Sequence, residues 1–241
     1  MKTFSRVCLL ATAGVILAFG TPIPGLVSTG SGANPTGTLD PAWQYFYSPT
    51  PVSSGFSFKP AYITSDSSWP LSPPVWLAND MNSRWISPSQ GYGTSFDIYG
   101  DLPGYYYYLL PFTIGPGYLP STGYFTFQVA VDNVLNSIWV NGNYIPYSQY
   151  GYTGFSSFGA PPVSVPAGLL QSGLNQLVVV VYNSASSAPP DPENINSWNP
   201  NGLRVEILES FIQEAPIPEP AAFFLCGAGL ACLGLLKLRR G

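Results

Sequence analysis

Histidine is missing from all 241 residues, and Asp, Glu, Lys and Arg together make up only 8% of them. Without an imidazole, the Ser-His-Asp and Cys-His arrangements lack their general base, and the commonest zinc ligand is gone too. Cysteine is scarce and poorly placed for cross-linking. Cys8 falls in an apolar run near the N-terminus, and Cys226 and Cys232 in another near the C-terminus, so the long span between them has no thiol and no disulfide. Basic residues are fewest where a polyanion would need them. Between the two ends, only Lys59, Arg84 and Arg204 stand against eleven acids from Asp40 to Glu214, a net charge of −8. Such a span repels phosphate and has no Lys/Arg patch to release counterions, which argues against nucleic acid and anionic lipid surfaces as partners.

What is present at the ends is an export pattern. Lys2 and Arg6 precede the apolar run from Val7 to Phe19, the charged and hydrophobic regions of a secretory signal peptide. Ala18-Phe19-Gly20 places cleavage by signal peptidase after Gly20, with Ser28 as the alternative, so residues 1–28 are assigned to the signal. At the other end, Ala221 to Leu238 as a helix would rise roughly 27 Å, slightly under the roughly 30 Å of a bilayer core. Lys237, Arg239 and Arg240 follow and mark the cytoplasmic side, which leaves the rest of the chain facing outward.

Pro218-Glu219-Pro220, then a short Gly/Ala/Leu-rich apolar stretch, then a terminal basic cluster, resembles the PEP-CTERM sorting signal of bacterial surface and exopolysaccharide-associated proteins. The resemblance covers residues 214–241. It implies that a membrane-embedded exosortase reads the tail, with Pro218, Glu219 and Pro220 as recognition residues. The protein would then be held transiently in the inner membrane before reaching the cell surface or extracellular matrix. An ordinary single-span anchor behind a proline-rich stalk gives the same topology.

Residues 29–54, rich in Pro, Gly and Ser, are expected to form a loose arm, and residues 55–213 one β domain. Proline recurs from Pro35 to Pro74, which excludes long helices and central strands there. Ser83 to Ser87 reads as a strand with one apolar face. Tyr105 to Ile114 is apolar on both faces and reads as a central strand. Phe125, Phe127, Val129 and Val131 alternate with Tyr124, Thr126, Gln128 and Ala130, the period-2 pattern of a half-buried strand. Asn141-Gly142 after Ile138-Trp139-Val140 signals a hairpin, because both residues tolerate positive φ, and Asn143 to Tyr147 is expected to return. Pro166 to Leu170 is expected to form a single helical turn. Gln176 to Tyr182 reads as a second doubly buried strand, and Leu203, Val205 and Ile207 alternate in the last. No long amphipathic helix lies between the ends, so the fold class is all-β, an antiparallel β-sandwich flanked by the signal helix and a transmembrane helix. The order from Asp132-Asn133 through the Asn141-Gly142 hairpin to Leu170-Gln171-Ser172-Gly173-Leu174-Asn175-Gln176-Leu177 resembles galactose-binding-like jelly rolls. That implies a carbohydrate-binding architecture with its ligand site on loops, although the fold alone does not fix a function.

Candidate site residues follow from chemistry. Tyr147, Tyr150 and Tyr152 lie in a Gly/Ser loop running to Phe158, and Trp198 lies in the polar loop from Asn183 to Gly202. Such rings can stack on the C–H faces of a pyranose, or fold back over the sandwich edge as core cover. Asp80, Asp97, Asp101, Asp132, Glu193 and Glu206 form the pool for a paired-carboxylate glycosidase. None has a recognisable partner spacing, and solvated surface acids are the alternative for each. Asp132 could cap a turn or join Asp97 or Asp101 on calcium. Calcium prefers six to eight oxygens, and no Asp-rich loop supplies them, so no metal and no cofactor is expected. The expectation is a non-catalytic exported protein that binds extracellular polysaccharide, with a purely structural matrix protein as the alternative and a glycosidase behind both.

Overall fold

The strands follow the apolar pattern. The computed structural model describes residues 20–93, 95–96, 98–147, 154–185, 193 and 198–216. Among these residues are eleven strands and no helix: β1 (Gly20–Thr21), β2 (Leu39–Ser48), β3 (Lys59–Ile63), β4 (Ile86–Ser87), β5 (Gly104–Ile114), β6 (Tyr118–Asp132), β7 (Val134–Val140), β8 (Asn143–Tyr144), β9 (Val163–Val165), β10 (Gly173–Asn183) and β11 (Gly202–Glu214). The fold is all-β, and every pairing between these strands is antiparallel. The order is β8-β7-β10-β5-β2-β3-β4-β11-β6-β9, with β1 added to β11.

That order is one sheet curled into a half-barrel. Tyr108, Leu110 and Phe112 of β5 and Leu177, Val179 and Val181 of β10 share a single core with Phe125, Phe127 and Val129 of β6 and Leu203 and Val205 of β11. Alternation decides which rings enter it: Phe125 and Phe127 are fully buried, and their neighbours Tyr124 and Thr126 are not. Each large apolar side chain buried this way contributes about 1.5–3 kcal/mol. A smaller cluster of Trp76, Trp85, Tyr92 and Ala130 lies on the other side of β6.

Several expectations need correction. Residues 29–54 are not a loose arm, because β2 lies inside the sheet between β5 and β3 and buries Trp43 and Tyr45. The segment before β2 is docked as well, including residues 20–28 of the stretch assigned to the signal: β1 pairs with β11, and Ile23 and Leu26 are buried in the core, which disfavours cleavage at Ser28. Thr29 donates to the Arg84 carbonyl at 2.6 Å and its amide bonds Val205, while the Gly30 amide donates to Asp40 at 2.7 Å. The Arg84 guanidinium bonds the carbonyls of Gly30, Gly32 and Asn34. The Pro/Gly richness therefore shapes a turn-rich segment tied down by its backbone. The strand expected over Ser83–Ser87 shrinks to Ile86–Ser87, and the return strand over Asn143–Tyr147 to Asn143–Tyr144. Pro166–Leu170 is a turn with no helix, where Gly168 has φ 93°. The expected signal helix and transmembrane helix lie outside the described residues, among which no helix is long and apolar enough to cross a membrane.

Candidate functional site

Where β6 ends and β11 begins, Asp132 pairs with Gly202, and three loops converge on that rim. The first brings Trp69 and Trp76. Trp76 is buried, packs on Trp85 with ring centroids 4.3 Å apart, and donates its indole N–H to Asp132 Oδ2 at 2.9 Å. Gly202 makes this approach possible, since a Cβ there would lie 2.4 Å from the Trp76 ring. The second loop brings Phe155. The third brings Trp198, whose ring sits 5.4 Å from that of Trp69 at 87° and 5.1 Å from that of Tyr99. Trp69, Trp76, Phe155 and Trp198 wall a cleft of about 380 Å³, with Asp132 and Asn133 on its polar side.

The polar side is held from behind. Asn133 donates its side-chain amide to Asp132 Oδ1 at 2.6 Å and accepts the Ser184 amide at 2.8 Å, which ties the end of β6 to the chain leaving β10. Asn201, fully buried, donates to the Asp132 carbonyl at 2.8 Å and accepts the Tyr108 hydroxyl at 2.7 Å. Its own amide donates to Asp101 Oδ2 at 2.8 Å, and Tyr92 donates its hydroxyl to the same oxygen. Asp101 is half-buried as a residue, but its carboxylate is turned inward onto these two donors.

Burial therefore dominates both acids. It pushes Asp101 up to about 6, against the lowering effect of the Tyr92 and Asn201 bonds. It pushes Asp132 up to about 7, with the negative field of Asp101 adding to the rise and the Trp76 and Asn133 bonds opposing it. The two carboxyls the sequence left unpaired are thus electrically coupled through the wall of the cleft. Only Asp132 lines the cleft itself.

The other sequence-predicted residues scatter. Trp198 is in the cleft. Tyr147 is packed against the core, with its hydroxyl 2.9 Å from the Leu135 and Asn136 carbonyls, in the position of core cover. Tyr150, Tyr152 and Asp97 lie outside the described residues, as do Pro218, Glu219, Pro220, Lys237, Arg239 and Arg240. Asp80 is ion-paired with Arg204 at 2.7 Å, Glu206 accepts the Ser83 hydroxyl at 3.4 Å, and Glu193 is exposed. Asp132 does not cap a turn through its carboxylate, which is engaged by the Trp76 indole and the Asn133 amide. No group of three or more potential metal ligands occurs among the described residues. Sequence reading missed Trp69, Trp76 and Asn133 as wall residues. The available signal was that three tryptophans fall in short polar loops and that Asp-Asn sits where a strand must end.

No family model and no curated protein matches the chain. Among solved structures it is similar to a putative beta-galactosidase from Bacteroides fragilis, at 16% identity and a TM-score of 0.34, over 80% of this chain and 24% of that one. A beta-glycosidase from Bacteroides vulgatus is similar at 17% identity and a TM-score of 0.30, over 69% and 19%. The chain spans about a quarter or less of the length of these proteins.

In chemical terms, the cleft offers apolar ring faces on several sides and a carboxyl and an amide on another, in a volume within the roughly 300–1,000 Å³ of small-molecule sites. A pyranose has that character, with C–H faces that pack on aromatic planes and a rim of hydroxyls that seek polar partners.

Proposed function

We propose that the protein is an exported, non-catalytic surface or matrix protein whose β domain, a galactose-binding-like jelly roll, binds extracellular polysaccharide in the Trp69–Trp198 cleft. In this reading the N-terminal apolar run directs export and signal peptidase removes it by cleavage after Gly20, because Ile23 and Leu26 beyond that point belong to the core. The tail from residue 214, with Pro218, Glu219 and Pro220, is read by an exosortase, and Lys237, Arg239 and Arg240 fix its orientation in the membrane. The observation that carries the sugar reading is the convergence of four aromatic side chains with Asp132 and Asn133 at one strand rim. Affinity electrophoresis through gels containing exopolysaccharide tests it. The wild type is expected to be retarded, and Trp198→Ala to lose at least about fivefold in affinity, as the loss of one stacked ring implies. A folded wild type that migrates unretarded through every glycan gel overturns the sugar reading in favour of a purely structural role. The mass of the mature C-terminus tests the tail independently: loss of everything beyond the Pro-Glu-Pro is expected, and an intact C-terminus ending in Gly241 means a plain anchor.

A further inference from the structure

We infer that the cleft prefers a glycan bearing a free amino group, bound as its ammonium form with Asp132 as the counter-ion, over neutral or acidic glycans. This rests on the sugar reading above and specifies the sugar. Among the described residues lining the cleft, Asp132 is the only ionisable one, so an entering cation meets a negative group there and no positive one. The walls favour the same charge. Indole and phenyl rings attract cations, and Trp69, Trp76, Phe155 and Trp198 all line the cleft, Trp69 and Trp198 meeting edge to face at 87°.

Acidic sugars are disfavoured by the whole domain as well as by the cleft. A uronate or sulfated sugar needs a cation, and none of the three in the described domain lines the cleft. Lys59 sits 4.8 Å over the Tyr45 ring, Arg84 holds three backbone carbonyls, and Arg204 is buried against Asp80 and Ser83. Neutral sugars could stack on the walls, but above about pH 7, where Asp132 is ionised, they leave its charge buried without an opposite partner. An ammonium supplies that partner. The titratable groups facing Asp132 are Asp101, from the loop before β5, and Tyr108 on β5. Asp101 is an acid and adds to the attraction.

Calorimetric titration of the full chain with a glucosamine tetramer, its N-acetylated counterpart and a galacturonate tetramer tests the inference. The amino form is expected to bind at least about fivefold tighter than the acetylated form, with the uronate weakest. Asp132→Asn, which keeps an acceptor for the Trp76 indole, should erase that preference while the acetylated form still binds. A permanently charged probe, tetramethylammonium, should compete better at pH 8 than at pH 5.5, because Asp132 ionises between them. Equal binding of the amino and acetylated forms overturns the ammonium inference and leaves the sugar reading standing. A preference that survives in folded Asp132→Asn protein overturns the assignment of Asp132. Failure of all three glycans overturns this inference, while retardation in the glycan gels decides the sugar reading by itself.

Discussion

At the residue scale, some of the few charges of this chain are placed where most proteins put none: Asp40, Asp132 and Arg204 are buried. Arg204 alternates with Leu203 and Val205 along β11, a position that the strand pattern assigns to a half-exposed face, yet it is fully buried. Its guanidinium donates to Ser83 Oγ at 2.8 Å, to the Ala78 carbonyl and to Asp80 at 2.7 Å, and it lies 5.0 Å from the Phe158 ring. Arg204→Met keeps the bulk but strands the Ala78 carbonyl and leaves the Ser83 hydroxyl only its long bond to Glu206, while Asp80, 47% exposed, can turn to water. Urea denaturation should show a loss of about 2–3 kcal/mol. Asp101 and Asp132 give a second prediction, in pH. Their carboxyls hold protons up to about 6 and about 7 in the folded state, against 3.8 for the ordinary carboxyl. The native state therefore binds more protons than the unfolded chain above about pH 4. The stabilisation is fully present below that value and is lost as pH rises through about 7. Thermal unfolding should occur several degrees higher at pH 5 than at pH 8, and Asp132→Asn should flatten much of that slope.

At the scale of elements, the β7–β8 hairpin and the turn before β10 depend on each other. Asn141 at φ 51° and Gly142 at φ 77° close the hairpin, as the Asn-Gly pair led one to expect. The less visible part is Asn175, fully buried at the start of β10. Its side chain accepts from the Asn141 side chain at 2.8 Å and the Gln171 amide at 2.9 Å, and donates to the Gln171 and Gly173 carbonyls at 2.8 and 3.0 Å. One amide thus joins two turns that lie 34 positions apart in the chain. Asn175→Ala removes the partner of several part-buried groups and should cost about 1–2 kcal/mol. Faster hydrogen exchange at Gln171 and Gln176, both bonded within this knot, would locate the damage. Elements of this kind divide what the chain pattern reveals from what it hides. The two doubly buried strands, β5 and β10, and the alternating β6 are legible because a repeating side-chain period reports on both faces. β2 is not, because Pro41 and its Pro/Gly-rich surroundings obscure a strand held by Asp40, whose carboxylate accepts the Ala42 and Trp43 amides at 2.8 Å each.

Over the whole molecule, the candidate site was the least legible part, since Trp69, Trp76, Asp132, Phe155 and Trp198 meet only after the sheet curls, and no spacing in the chain records the meeting. The same curl fixes where the site faces. β11 pairs with β6 along its length, with Gly202 opposite Asp132 at the cleft end and Glu214 opposite Tyr118 at the other. Thirteen residues at about 3.3 Å each separate these ends by about 40 Å. β1 pairs Gly20 with Gln213, so the described chain enters and leaves at the pole away from the cleft. A domain tethered through its tail would then stand on that pole and hold the cleft outward. The lack of cysteine between the two ends makes this measurable with single introduced thiols. Val75, 41% exposed at the cleft, and Gly117, with open space around it at the opposite pole, are suitable positions. On intact cells that retain the tail, Val75→Cys should react with a bulky membrane-impermeant maleimide several-fold faster than Gly117→Cys. Detergent should bring the two rates together. Equal rates on intact cells would mean that the sheet does not rest on its tethered pole, and that the cleft gains no access to the surrounding matrix from the way the strands are ordered.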